Sequence, residues 1–81
     1  MKLYPLDAAK LTEKIAAHAY LKAALGLPEH YGANADALHD CLTELQGCIW
    51  VMDAGKLPAL LLRVLEDSAR ENPALTVDLS R

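Results

Sequence analysis

Cys48-Ile49-Trp50-Val51-Met52 is an unbroken apolar run of strand length, closed by Gly47 on one side and Asp53 on the other. A strand with one wet face alternates polar and apolar side chains. A run without a polar member suits a strand covered on both faces, as in a parallel sheet. Parallel strands cannot be joined by tight turns and need crossover segments, usually helices.

The flanking sequence supplies those segments. Downstream, Gly55 and Pro58 break the chain, and residues 59–71 follow as a leucine-rich helix with Leu61, Leu62, Val64 and Leu65 facing inward. Asn72-Pro73 closes it, and residues 75–79, with Thr76 and Val77, make a last strand. Upstream, Asn34 is a natural N-cap for a helix that carries Leu38, Cys41, Leu42 and Leu45 on one face and ends at Gln46-Gly47. Residues 28–33 form a loop before it. Residues 8–25 are rich in good helix formers, with Leu11, Ile15, Ala19, Leu21 and Leu25 at helical spacing. Gly26 stops that helix and Pro28 prevents its resumption. Lys2-Leu3-Tyr4 forms a short opening strand stopped by Pro5. The order strand, helix, helix, strand, helix, strand predicts an α/β fold: a small three-stranded parallel sheet packed with about three helices, in one domain spanning residues 1–81.

The 81 residues are 53% hydrophobic and 23% charged, a globular profile, and only four Gly and four Pro leave short connections. A net charge of −3 gives no basic footprint, which disfavours direct nucleic-acid binding. It suits instead a partner with a positive cleft. MKLYPLDAAK places a charge and a Pro where a signal peptide needs an apolar run, and no apolar stretch approaches bilayer length. The expectation is a cytoplasmic protein, monomeric on its own and without a membrane partner. Cys41 and Cys48 are too few for a disulfide framework and do not have C-x-x-C spacing, so they read as small buried hydrophobes kept reduced.

Catalytic chemistry is thinly represented. There is no Gly-rich phosphate loop and no G-x-S-x-G, and neither Ser68 nor Ser80 has a His beside it in sequence. Cys41 and His39 stand two apart on a helix and so do not face each other. His39 and Asp36 share a helical face, but a structural metal site normally needs four ligands. The expectation is therefore no enzyme, no metal and no cofactor. His18 borders the core face of the first helix. The unusual feature is an acidic ridge: Asp36, Asp40 and Glu44 recur every fourth residue along one side of their helix. Like charges at that spacing destabilise a helix by roughly 0.2–0.5 kcal/mol per pair. On its own the ridge reads as a solvated face, the usual fate of a charge run.

The segment Leu27-Pro28-Glu29-His30-Tyr31-Gly32-Ala33-Asn34-Ala35-Asp36-Ala37-Leu38-His39-Asp40-Cys41-Leu42-Thr43 gives the ridge a second reading. It resembles the signature of the barstar family, L-P-E-x-Y-G-x-N-x-D-A-L-x-D-x-L-T. More loosely, Leu21-Lys22, Leu25 and the tail Leu75-Thr76-Val77-Asp78-Leu79-Ser80 are similar to the family as well. The resemblance implies a three-stranded parallel sheet packed with helices. It also implies a small basic ribonuclease of the barnase type as partner, inhibited to protect the producing cell, in the manner of an antitoxin or immunity protein. By position, Asp40 corresponds to the acid that enters the nuclease's catalytic site and Asp36 to a second acidic contact. Gly32 and Asn34 correspond to the binding loop, and Asp67 falls where the family uses a Glu. His30 stands where an aromatic contact is common, and His39 where Trp is frequent. The partner-binding set implied is His30, Tyr31, Gly32, Asn34, Asp36, His39, Asp40, Thr43, Glu44 and Asp67. The stretch between Asp53 and Leu61 is short, which implies loss of a small helix the family can carry there.

The physical sense is that a carboxylate on a rigid helix takes a phosphate's charge-assisted hydrogen bonds in a cationic cleft. Acidic neighbours would speed the encounter, an effect that complexes of this family themselves illustrate. Aromatic anchors tend to carry interface energy. The two histidines therefore imply a different cognate nuclease, a weaker grip, or an interaction module of the same scaffold with a non-nuclease partner. An unperturbed His protonates near pH 6.5, so acidification would add positive charge beside Asp40 and weaken binding to a basic partner.

Overall fold

The central strand proves to be Gly47–Met52 in a computed structural model that describes residues 2–80. Three strands, β1 (Leu3–Asp7), β2 (Gly47–Met52) and β3 (Leu75–Leu79), form one parallel sheet in the order β1-β2-β3. Three helices supply the crossovers: α1 (Lys14–Leu25) and α2 (Ala35–Leu42) before β2, and α3 (Ala59–Glu71) after it. Both crossovers step the same way across the sheet, so right-handed connections put all three helices on one face. The alternation along β2 agrees. Ile49 and Val51 are fully buried, whereas Cys48, Trp50 and Met52 are half-buried. The apolar run is thus covered completely on one face and partly on the other, not on both. Leu6, Leu11, Leu21, Leu38, Leu42 and Leu65 complete the core between sheet and helices.

The opening strand runs through Pro5 instead of ending at it. β1 is an edge strand, and the Lys2 carbonyl accepts from the Cys48 N–H. Alternate residues point their backbone groups at β2, which turns the Pro5 nitrogen outward, where a missing N–H costs no ladder bond. Asp7, two residues on, accordingly donates its N–H to the Tyr20 hydroxyl at 3.0 Å rather than to β2.

The single helix expected over residues 8–25 is two pieces. A 3₁₀ turn (Ala8–Leu11) comes first, capped by Asp7, and α1 starts afresh behind Glu13. Glu13 adopts extended backbone angles, and its carboxylate accepts from Ile15 and Ala16 at 3.2 and 2.8 Å. These bonds hold its carboxyl below the usual Glu value. The restart rotates the helix: Ile15 is 80% exposed and Ala19 is exposed, while Ala17, His18, Leu21 and Leu25 face the core. Gly26 closes α1 in the left-handed conformation (φ 65°), as a glycine can without strain.

α2 begins at its Asn34 cap but ends at Leu42, a turn before Gln46-Gly47. Asn72, just beyond α3, braces the stop. Its side-chain N–H groups donate to the carbonyls of Leu42 and Leu45 at 3.0 and 2.7 Å, which satisfies the helix end and the turn after it. Leu45 still packs on the core, half-buried. A one-turn 3₁₀ segment (Ala54–Lys56) occupies the short link after β2, where no helix is expected. Among the described residues, no helix is long and apolar enough to cross a membrane.

Candidate partner-binding face

The loop between α1 and α2 is held by bonds that its own sequence dictates. The Tyr31 N–H closes a turn onto the Pro28 carbonyl at 3.0 Å. Ala33 takes a left-handed backbone (φ 52°) to bring the chain into α2. Asn34 then serves both sides: its side-chain oxygen accepts from the Ala37 N–H at 2.8 Å, and its amide donates back to the Gly32 carbonyl at 3.2 Å. A side chain at Gly32 would stand 3.3 Å from both the Ala37 Cβ and the Asn34 amide, closer than either readily allows.

The Tyr31 ring is anchored from below. Its hydroxyl lies 2.6 Å from the His18 Nδ1 on α1, with the two rings 5.8 Å apart and tilted by 51°. Burial, with a smaller contribution from Cys41, pushes the Tyr31 phenol up to about 12. Burial, aided by the charge of Lys14, pushes the His18 imidazole below the usual His value. A protonated phenol thus meets a neutral imidazole.

This loop and α2 come together at a shallow hollow of about 180 Å³, where His30, Tyr31, Gly32 and Asp40 meet Pro28, Ala37 and Cys41. His30 and Asp40 are exposed there. Asp36, one turn before Asp40, is exposed in the first turn of α2, where the helix dipole favours a carboxylate. Glu44 is exposed but lies past the helix end, so the expected ridge is two aspartates on a helix and a glutamate in the next turn. Thr43 caps α2, its hydroxyl donating to the Asp40 carbonyl at 2.8 Å.

His39 and Asp67 lie apart from the hollow. The His39 Nε2 is 2.6 Å from the Glu71 carboxylate, which ties α2 to α3. The His39 ring is thus turned to Glu71 rather than standing bare beside Asp40. Asp67 lies one turn before Glu71 on α3, half-buried, and pairs with Arg70 at 3.0 Å. Sequence reading gave no role at this face to three residues that shape it: His18, placed only at the border of the core, Asn72, read only as a helix stop, and Glu71. A carboxylate at Glu71, four after Asp67, repeats the Asp36–Asp40 spacing and was the available signal. Nothing local marks His18 or Asn72, whose partners lie 13 and about 30 residues away.

The electrostatics single out α2. Between Lys22 and Lys56 the chain holds no Lys or Arg. Among the described residues, Glu29, Asp53, Asp67 and Glu71 have ion-pair partners, and Asp7 and Glu13 cap helices. Asp36, Asp40 and Glu44 have none and cluster in one stretch, whereas the other two unpaired acids, Glu66 on α3 and Asp78 on β3, stand singly. The field of the cluster reaches Cys41, whose thiol is pushed up by burial first and by Asp40 and Glu44 next. Both cysteines are free and half-buried rather than fully buried. No cluster of three or more His, Cys, Asp or Glu among the described residues is placed to hold a metal ion.

The family model described as barstar (barnase inhibitor) matches residues 1–79. The chain belongs to the barstar family. Members of this family are inhibitors rather than enzymes, and the implied kind of partner is a ribonuclease. The barstar-like sheet and helices are those described above. No curated protein matches the chain.

Proposed function

We propose that this barstar-family chain binds a small basic ribonuclease and blocks its active site by phosphate mimicry, serving the producing cell's cytoplasm as an antitoxin or immunity protein. The observation that carries this reading is the set of unpaired, exposed carboxylates on and just after α2, bordering a loop pinned by Asn34 and Tyr31. Asp40 stands at the hollow's rim, free to accept hydrogen bonds from a cationic cleft. His30, Tyr31 and Gly32 form the loop side of the contact. Asp36, Thr43 and Glu44 extend it along α2, and His39 and Asp67 border it toward α3. Asn34 holds the loop in place.

The test is titration of a barnase-type ribonuclease with the chain during RNA cleavage. Loss of cleavage should be stoichiometric, without turnover, and purification from the native host should recover a small basic nuclease. One observation favours a second reading: where the family often has an aromatic anchor, His39 is held within the chain by Glu71. A scaffold with a non-nuclease partner would leave RNA cleavage untouched and bring down a different protein.

A further inference from the structure

With all three helices on one face of the sheet, the other face stands open. Alternation along the strands sorts the side chains: Tyr4, Leu6, Ile49 and Val51 are buried under the helices, and the residues between them point the other way. On that open face Leu3 is 56% exposed, and Trp50 and Met52 are half-buried without packing on the core. The register sets Trp50 between Pro5 and Asp78, in one row across the three strands. Adjacent strands run about 4.8 Å apart, so the indole and the Asp78 carboxylate are neighbours on one surface.

Charge and area decide what can cover this face. Its two charges are Asp7 and Asp78, and none of the three strands holds a Lys or Arg. Asp7 is engaged as the cap of the 3₁₀ turn, whereas Asp78 is exposed and has no ion-pair partner among the described residues. Such a face repels a nucleic acid or an anionic lipid surface. A second copy of the chain brings the same acids against it. The area is also too small for a dimer: three strands of about five residues leave a footprint of roughly 14 by 17 Å, well short of the about 800 Å² that each partner buries in a stable interface. That footprint suits one short extended segment. The chemistry suits a planar cation. A guanidinium stacks on an indole while donating paired N–H groups to a carboxylate beside it, which a compact ammonium does not match.

We propose that the open sheet face docks an extended segment of another protein, with an arginine stacked on Trp50 and paired with Asp78, and with apolar side chains to either side over Leu3 and Met52. The helices lie on the opposite face, so this contact and the nuclease contact do not compete. The probe is the peptide acetyl-Leu-Ser-Arg-Ser-Leu-amide, whose Leu, Arg and Leu share one side when extended. Trp50 is the chain's one tryptophan, so its fluorescence in the whole chain reports on this face alone. A saturable change is expected, with a dissociation constant on the order of 1 mM for so short a ligand. The same peptide with citrulline for arginine keeps the shape and loses the charge, and should bind about fivefold more weakly. Asp78→Asn, at an exposed position, should erase the difference between the two peptides. Without peptide, the chain should sediment as a monomer. A fluorescence change that stays linear, citrulline peptide bound as tightly as arginine peptide, a fivefold preference that survives in Asp78→Asn, or a dimer that buries Trp50 would each overturn the proposal.

Discussion

His18 and Tyr31 complete each other: the imidazole is buried, and the phenol has no other hydrogen-bond partner among the described residues. Tyr31→Phe keeps the ring and removes the hydroxyl, stranding the His18 Nδ1. The expected loss is about 1–3 kcal/mol of stability, read by urea denaturation. A cost near zero would mean that water replaces the bond. The same pair makes stability depend on pH. Because the folded His18 value is depressed, the unfolded chain takes up a proton at a pH where the fold still resists it. The stability contributed by neutral His18 is complete above about pH 6.5 and is lost as pH falls below that value toward the depressed one. Denaturation midpoints of the parent should thus fall between about pH 7.5 and pH 5.5 more steeply than those of His18→Gln. Equal slopes would remove His18 from the account. None of this pairing was legible in the sequence, which placed His18 at the edge of the core but could not name a partner 13 residues away. The exposure of Asp40, by contrast, was legible: the four-residue spacing put it on a solvated side of α2, and it is exposed and unpaired.

Strand β2 and helix α2 show what patterning resolves at the scale of elements. Helix α3 and strand β3 were readable to the residue because Pro58, Asn72-Pro73 and dense leucine mark their ends. The break at Glu13 and the early end of α2 were not, because each depends on a side chain bonding backbone outside the apolar pattern. Gly47 tests the start of β2. Its φ is +136°, and an added Cβ would run into the Lys2 carbonyl. Gly47→Ala should cost at least about 2 kcal/mol by chemical denaturation, since both the backbone and the β1 contact are strained. Gly55→Ala, with nothing within 4 Å of the new methyl, is the control and should stay within about 0.5 kcal/mol of the parent. Asn34→Ala removes the α2 cap and the clasp on Gly32 together. It should cost about 1 kcal/mol of stability and accelerate partner dissociation. Unchanged dissociation would separate the loop's order from binding.

Over the whole molecule, a net charge of −3 is unevenly spent: the segment from Lys22 to Lys56 holds α2 and no intervening cation. Such a field draws a basic partner in before contact and is screened by salt, with a Debye length of about 10 Å at 0.1 M. Association with a basic ribonuclease should therefore slow as salt is added, by stopped-flow, while dissociation changes less. A salt-independent association rate would mean that the acidic face does not steer. The most direct measurement is inhibition of a barnase-type ribonuclease by Asp40→Ala beside Asp78→Ala, each checked for an unaltered melting curve. Asp78 is an exposed, unpaired acid on a different element, β3. A carboxylate seated in a cationic cleft predicts at least a hundredfold weaker inhibition, roughly, for Asp40→Ala and little change for Asp78→Ala. Equal inhibition by the two variants would contradict the account.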